Sequence, residues 1–250
     1  MNALHVAVIM DGNGRWAQAR GHARFFGHVR GAARVREVVE ESCRLGVRAL
    51  TLYAFSTENW KRPEHERAVL WKLLARYLTG EMKALRTNDV RLRVIGDRSK
   101  LPPPILEVIE AAESSLASCH GLQFNLAISY GARDEILRAA RAFALRCQEG
   151  SLKVEASSEA DFSALLDTGY LGVHSDVDLL IRTGGERRVS NFLLWQSAYA
   201  ELDFVDQAWP DFTAHDFRNA VARFSSRRRR FGATEEQLSG PGPEWREGLK

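Results

Sequence analysis

Apolar positions along the chain switch repeatedly between two spacings. His5-Val6-Ala7-Val8-Ile9-Met10 is a near-continuous apolar run that stops at Asp11-Gly12-Asn13-Gly14. A short run of this kind, ended by turn residues, reads as a buried strand entering a sharp turn. From Ala32 to Leu45 the spacing becomes helical, with Val35, Val38, Val39 and Leu45 on one side and Gly46 as the stop. Ala49 to Phe55 returns to the unbroken apolar character of a parallel strand. Glu66 to Thr87 then predicts a long amphipathic helix, whose broad apolar face carries Leu70, Leu73, Leu74 and Tyr77. Third, fourth and fifth strands are expected at Val90–Ile95, Leu122–Ile128 and Asp178–Arg182, with helices from Pro102 to about Ser118 and from Arg133 to Gln148 between them. Ser151 to Val173 is more polar, with one short helix near Ala160–Leu166. Ser190 and Asn191 read as N-caps of a helix over Phe192–Tyr199. A short sixth strand (Glu201–Val205) and a helix (Ala214–Ser226) close the pattern. Strands alternating with helices give an α/β fold.

Composition narrows the class. Of 250 residues, 45% are hydrophobic and 27% charged, as in a globular chain with ample length for a core. A net charge of +3 is too small to imply nucleic acid. Cys43, Cys119 and Cys147 lack CxxC or CxH spacing, so neither a disulfide framework nor a zinc site is expected, and a reducing cytosol suits them. No leader-like segment and no apolar run of membrane-spanning length is visible, so any membrane contact is expected to be peripheral.

The candidate chemistry gathers where strands end. In Met10-Asp11-Gly12-Asn13-Gly14-Arg15-Trp16, two glycines let backbone N–H groups approach a ligand, and Arg15 offers a donor fork suited to phosphate. A bare Asp11 would repel phosphate; a Mg²⁺ ion between them removes the conflict. Gly12-x-Gly14-x-x-Ala17 also satisfies a loose dinucleotide fingerprint, but no acidic residue ends a second strand about twenty positions on. Arg24 and His28 follow closely and are read as pointing back to this turn. Ser56 to Pro63, after the second strand, is rich in hydrogen-bonding groups and suits a mobile lid. Arg182-Thr183-Gly184-Gly185-Glu186-Arg187-Arg188-Val189-Ser190 is a second Gly- and Arg-rich turn after a strand. Two such turns suggest two phosphate groups in one crevice. Glu201 is a candidate second metal ligand. Arg227 to Arg230 is a basic run at a helix end, and the residues after Gly232 look like a frayed tail.

Together these motifs closely resemble the cis-prenyltransferase family: His5 to Trp16, Thr51 to Trp60, Ile181 to Glu186, and Ser190 to Glu201 follow in order with family-like spacing. The resemblance covers Leu4 to about Gly232, so residues 1–232 are expected as the catalytic domain and 233–250 as the tail. It implies a single domain with a six-stranded, mainly parallel sheet flanked by helices, an apolar tunnel, and a homodimer in the cytoplasm. The reaction it implies is repeated addition of isopentenyl diphosphate to an allylic diphosphate such as farnesyl diphosphate, with cis double bonds. The product would be a long-chain, undecaprenyl-type diphosphate for a cell-wall lipid carrier. Alternatives carried alongside are a shorter-chain synthase, a non-catalytic partner subunit, and a nucleotide-dependent oxidoreductase.

Residue by residue, the resemblance places Asp11 as the essential aspartate and Mg²⁺ ligand, with Glu201 at the other acidic position. Gly12, Asn13, Gly14, Arg15, Trp16, Arg24 and His28 match the allylic diphosphate site. Ser56, Thr57, Glu58, Trp60 and Arg62 match lid-side contacts, and Asn59 the position assigned to proton removal. Arg182, Arg188, Val189 and Ser190 match the isopentenyl diphosphate site. Arg187 stands where some members carry a histidine near the metal, and an arginine cannot ligate Mg²⁺. A growing polyprenyl chain is apolar and needs an apolar tunnel; Ala54 is expected near its mouth and Leu122 at its floor.

Overall fold

The computed structural model describes residues 4–226; the basic run 227–230 and the expected domain boundary near residue 232 lie outside the described residues. Six strands, β1 (His5–Ile9), β2 (Ala49–Ser56), β3 (Arg91–Ile95), β4 (Gln123–Tyr130), β5 (Leu179–Arg182) and β6 (Glu201–Phe204), form one sheet in the order β3-β4-β2-β1-β5-β6. Every pairing is parallel. Parallel neighbours need crossover connections. These contain α1 (Asn13–Gln18), α2 (Arg24–Arg44), α3 (Glu64–Thr87), α4 (Pro103–Ser115), α5 (Ala132–Gln148) and the short α6 (Glu159–Ser163); α7 (Ala214–Ser226) follows β6.

Alternation along each strand sorts side chains onto two buried faces. On one, Val6 and Val8 of β1 and Leu50 and Leu52 of β2 join a core with Val38 of α2, Leu78 of α3, Ile109 of α4 and Phe217 of α7. On the other, Ala7 and Ile9 join Tyr130, Leu180 and Phe192. From β1 the chain first builds the β2 side of the sheet, then returns to pair β5 on the other side of β1. The carboxyl ends of β1 and β5 therefore meet where the strand order switches, which is where open α/β sheets place ligands.

Two elements depart from the sequence pattern. Helix α2 begins at Arg24, not Ala32, so the basic segment is itself helical. Its glycines allow close approach: a Cβ on Gly27 would lie 1.9 Å from the Asn13 carbonyl oxygen, and one on Gly31 2.4 Å from Asn13 Oδ1. Phe192–Tyr199, expected as a helix, is a series of turns. Ser190, Asn191 and Leu193 there have φ of +46°, +61° and +45°, a left-handed backbone that no right-handed helix can contain. The second anion turn thus has no helix N-terminus behind it. Ser56–Pro63, read as a loop, holds a 3₁₀ turn at Thr57–Lys61.

Candidate functional site

Asp11 is gripped first by its backbone. Its N–H donates to Thr183 Oγ1 at 3.0 Å, and its carbonyl accepts from the Thr183 hydroxyl at 2.8 Å and from the Trp209 N–H at 2.9 Å. Thr183 and Trp209 are site residues that the sequence pattern did not single out. Gly12 follows at φ +93°, and a Cβ there would come 2.8 Å from Ala208 Cβ, so only glycine fits this turn. The Asp11 carboxylate is held in turn: Oδ1 accepts from Gly12 N–H at 2.6 Å and Oδ2 from Arg182 Nη2 at 2.8 Å. Burial pushes this carboxyl up, but the Arg182 and Gly12 hydrogen bonds, with the charges of Arg182 and Arg15, hold it below the usual carboxylate range.

Arg182 joins the two turns. Its side chain is 4% exposed; Nη1 donates to Ser190 Oγ at 2.7 Å and to the Arg188 carbonyl. Its Nε is buried without a hydrogen-bond partner. Glu186 pairs with Arg188 at 2.5 Å and Arg15 at 3.5 Å, so Asp11 and Glu186 sit among Arg15, Arg182 and Arg188. Across the mouth, the Arg24 guanidinium lies 2.8 Å from where a Gly14 Cβ would be. His28 is largely buried; its burial first, then the charges of Arg62 and Arg24, push it down to about 4. It is therefore a neutral imidazole near neutral pH, within the field of two guanidiniums.

Asp11, His28, Arg182 and Arg188 line a cavity of about 650 Å³, with Arg15, Arg24 and Glu186 outside its walls; the volume is within the range of small-molecule sites. Asp11, Asn13, His28, Arg62, Arg182 and Arg188 supply its polar end, with Ser56, Glu58, Asn59 and Ser190 beside them. Farther in, Val35 of α2, Leu70, Leu74 and Tyr77 of α3, and Leu126 and Ile128 of β4 form apolar walls. Tyr53, Ala54 and Phe55 all line it, although successive strand residues normally face opposite ways. The pairing of β2 with β4 shifts register between Tyr53 and Phe55, and this irregularity turns Ala54 to the cavity. Asn59 folds back on its own turn, its Oδ1 accepting from Ser56 N–H at 3.2 Å, which leaves the NH₂ end free to donate.

Several expected residues lie elsewhere. Trp60 turns away from the cavity onto Phe55 and Trp71, and its Nε1 donates to Ser129 Oγ at 3.0 Å. Val189 packs against the second core face. Trp16 stacks on Phe26 outside the cavity, and Thr57 is not among its walls. Leu122, expected at the floor, is buried in the core just before β4. It lies four residues, or roughly 13 Å of strand, short of Leu126, which lines the cavity instead. Glu201 does not meet Asp11. It opens β6 opposite Leu179, while Phe204 pairs with Arg182, so roughly 10 Å of strand separates Glu201 from the level of the site. Among the described residues no group of three or more His, Cys, Asp or Glu could enclose a metal ion. A lone carboxylate is nevertheless the donor set that suits Mg²⁺ when it is shared with a diphosphate and keeps its waters.

The chain is similar in sequence and fold to known proteins. A family described as putative undecaprenyl diphosphate synthase matches residues 9–232. A ditrans,polycis-undecaprenyl-diphosphate synthase ((2E,6E)-farnesyl-diphosphate specific) of Vibrio cholerae is 48% identical over 234 residues, covering 94% of this chain and 92% of the relative. The Escherichia coli protein of the same description is 47% identical, covering 92% and 90%. Among solved structures, lavandulyl diphosphate synthase from Lavandula x intermedia, in complex with dimethylallyl diphosphate, superposes with a TM-score of 0.88 at 36% identity, covering 91% of this chain and 97% of that one. A probable undecaprenyl diphosphate synthase of Campylobacter jejuni gives 0.75 at 38%, covering 93% and 100%. The dinucleotide reading of the first glycine turn falls away, and the chain belongs to the undecaprenyl diphosphate synthase family of cis-prenyltransferases.

Proposed function

We infer that the chain extends an allylic diphosphate, farnesyl diphosphate first, by repeated addition of isopentenyl diphosphate to an undecaprenyl-type product. The observation that carries this is one continuous cavity with arginines and Asp11 at one end and apolar walls at the other. A substrate with a charged head and a growing hydrocarbon tail fits no simpler site.

The allylic diphosphate is held between the Gly12–Arg15 turn, Arg24, His28 and Arg62, and the isopentenyl diphosphate by Arg182, Arg188 and Ser190. Asp11 would hold Mg²⁺ jointly with a substrate phosphate, and the bound ion would supply charge neutralisation for the leaving diphosphate. Arg24 and Arg62 stabilise the same charge as the allylic C–O bond breaks. The isopentenyl double bond supplies the electron pair of the new C–C bond, and one proton must then leave. Asn59, with only its NH₂ end free, is a donor and not a base; it holds a phosphate oxygen of the isopentenyl diphosphate, which takes the proton. The lengthened chain moves inward past Ala54 along α3 and β4.

The active form is a homodimer, in which exposed Val173, Tyr199 and Leu202 supply apolar surface for the partner copy to cover. No helix among the described residues is long and apolar enough to cross a membrane, and we place the enzyme in the cytoplasm, with its apolar product delivered to a membrane surface. Incubation with farnesyl diphosphate, radiolabelled isopentenyl diphosphate and Mg²⁺, followed by chromatography of the products, tests the reading. Label in an undecaprenyl-length chain is expected; no incorporation would refute the reaction, and a product of only four or five isoprene units would refute the chain length alone.

A further inference from the structure

Beside the link that Arg182 makes, the Thr57–Lys61 turn is bridged to the Arg182–Ser190 turn through Asn191. Helix α5 starts behind Gly131, which has no side chain to cap it. Its first N–H groups are capped by Asn191 instead. The Asn191 main-chain carbonyl accepts from Ala132 N–H at 2.8 Å, and its Oδ1 accepts from Arg133 N–H at 2.9 Å. The other end of the same amide, Nδ2, donates to Glu58 Oε1 at 3.3 Å. Glu58 belongs to the Thr57–Lys61 turn, which carries Asn59. Burial pushes the Glu58 carboxyl up, but hydrogen bonds from its own N–H, Ser56, Asn191 and Thr57 outweigh this, so an ionised acceptor faces Asn191.

Fixing Oδ1 on α5 also fixes the direction of Nδ2, because one planar amide carries both. Asn191 has φ +61°, a conformation asparagine accepts more readily than most residues. Its neighbour Ser190, at φ +46°, accepts from Arg182. Unfavourable backbone of this kind persists only where the surroundings hold it, and the bonds to α5 do so.

We propose that Asn191 is a positioning residue that locks the Thr57–Lys61 turn, and with it Arg62 of the allylic site, whose N–H donates to the Asn59 carbonyl at 3.0 Å, onto the Arg188–Ser190 turn, so that the parts of the site serving the two diphosphates keep one relative placement. The identity of those diphosphates rests on the function proposed above. The lock itself is a property of the free chain and can be tested without turnover.

Asn191→Asp separates the two ends of the amide. It keeps an acceptor for Arg133 N–H but turns a second oxygen toward Glu58 in place of the donor. Hydrogen–deuterium exchange of the substrate-free enzyme should show residues 57–61 exchanging about fivefold faster or more, the factor expected from one lost hydrogen bond. The KM for the allylic diphosphate should rise in step. Adding Glu58→Gln to Asn191→Asp rebuilds the contact with its direction reversed, and should return both exchange and KM most of the way to the parent. A merely structural role would lower thermal stability with no rescue by Glu58→Gln. Parent-like exchange in Asn191→Asp, or a double variant no better than the single one, would overturn the lock. A parent enzyme without elongation activity would refute the substrate assignment and leave the exchange result to judge the lock.

Discussion

The mouth of the cavity and its interior are built in different ways. At the mouth, the candidate chemistry sits in two short stretches, Asp11–Arg15 and Arg182–Ser190, at the ends of strands that pair with each other. Their backbones are specified by Gly12 and by Thr183 of one stretch clamping Asp11 of the other. The interior comes from elements far apart in sequence: Val35 on α2, Leu70 and Leu74 on α3, Leu126 on β4. Its residues are ordinary core types at ordinary core spacing. The mouth should thus control rate and affinity, and the interior product length.

The largest effect is expected where that division is sharpest. Asp11→Ala should cut turnover about a thousandfold or more, on the scale of losing a preorganised charge-stabilising group, while circular dichroism stays unchanged; near-normal kcat with Mg²⁺ present would remove Asp11 from the mechanism. Next come the arginines. Arg182→Ala should raise the KM for isopentenyl diphosphate about ten- to a hundredfold, and Arg24→Ala should do the same for the allylic substrate, the cost of one charge-assisted hydrogen bond of roughly 1.5–3 kcal/mol. Equal changes in both KM values for both variants would merge the two anion sites into one.

The same contrast explains what could be read from the sequence. The mouth is legible because two glycine- and arginine-rich turns both follow apolar strand runs; either turn alone reads equally well as an ordinary surface turn. The inner strands β1, β2 and β5 are legible too, because parallel strands buried on both faces are near-continuously apolar; the edge strands β3 and β6 are mixed and only partly buried, and are read from their place between helical stretches. The start of α2 was not: Gly27 and Gly31 look like breakers, and only the packing of Asn13 against them reveals their use. The 192–199 segment has the apolar spacing of a helix, yet Phe192 stacks on Tyr53 at 4.4 Å, and Gln196 Nε2 donates to buried Glu135 at 3.1 Å, contacts that impose a different path. Leu122 was placed at the tunnel floor by resemblance, while the depth of the cavity depends on how α3 lies against β4, which no local pattern encodes. Glu201 likewise looked adjacent in chemistry but is displaced along β6 by register.

Acid should separate the mouth from the far end of the sheet. His28 at the mouth and His5, whose ring contacts Thr51 Oγ1 at 2.7 Å, are both pushed down to about 4, chiefly by burial. Between pH 6.5 and 4 the unfolded chain takes up protons that the folded one refuses, so stability falls as pH falls through that window, by about 3 kcal/mol per histidine. Inorganic pyrophosphate at the mouth favours the charged form of His28 alone. In thermal melts it should therefore protect more at pH 5 than at pH 7.5, and equal protection would place His28 outside the anion site. Smaller shifts are expected inside. Leu126→Ala should lengthen the product, whereas Leu122→Ala should cost about 2–5 kcal/mol of stability and leave product length alone. A longer product from Leu122→Ala would restore it as the floor.

The division itself is tested most directly by the products of Ala54→Leu. Ala54 lies where the β2 irregularity meets the cavity, between the charged mouth and the apolar walls. With farnesyl diphosphate and radiolabelled isopentenyl diphosphate, this variant should still form the first cis bond but release markedly shorter chains than the parent. An unchanged product distribution would mean that the chain does not thread this cavity, and the account of mouth and interior would fail.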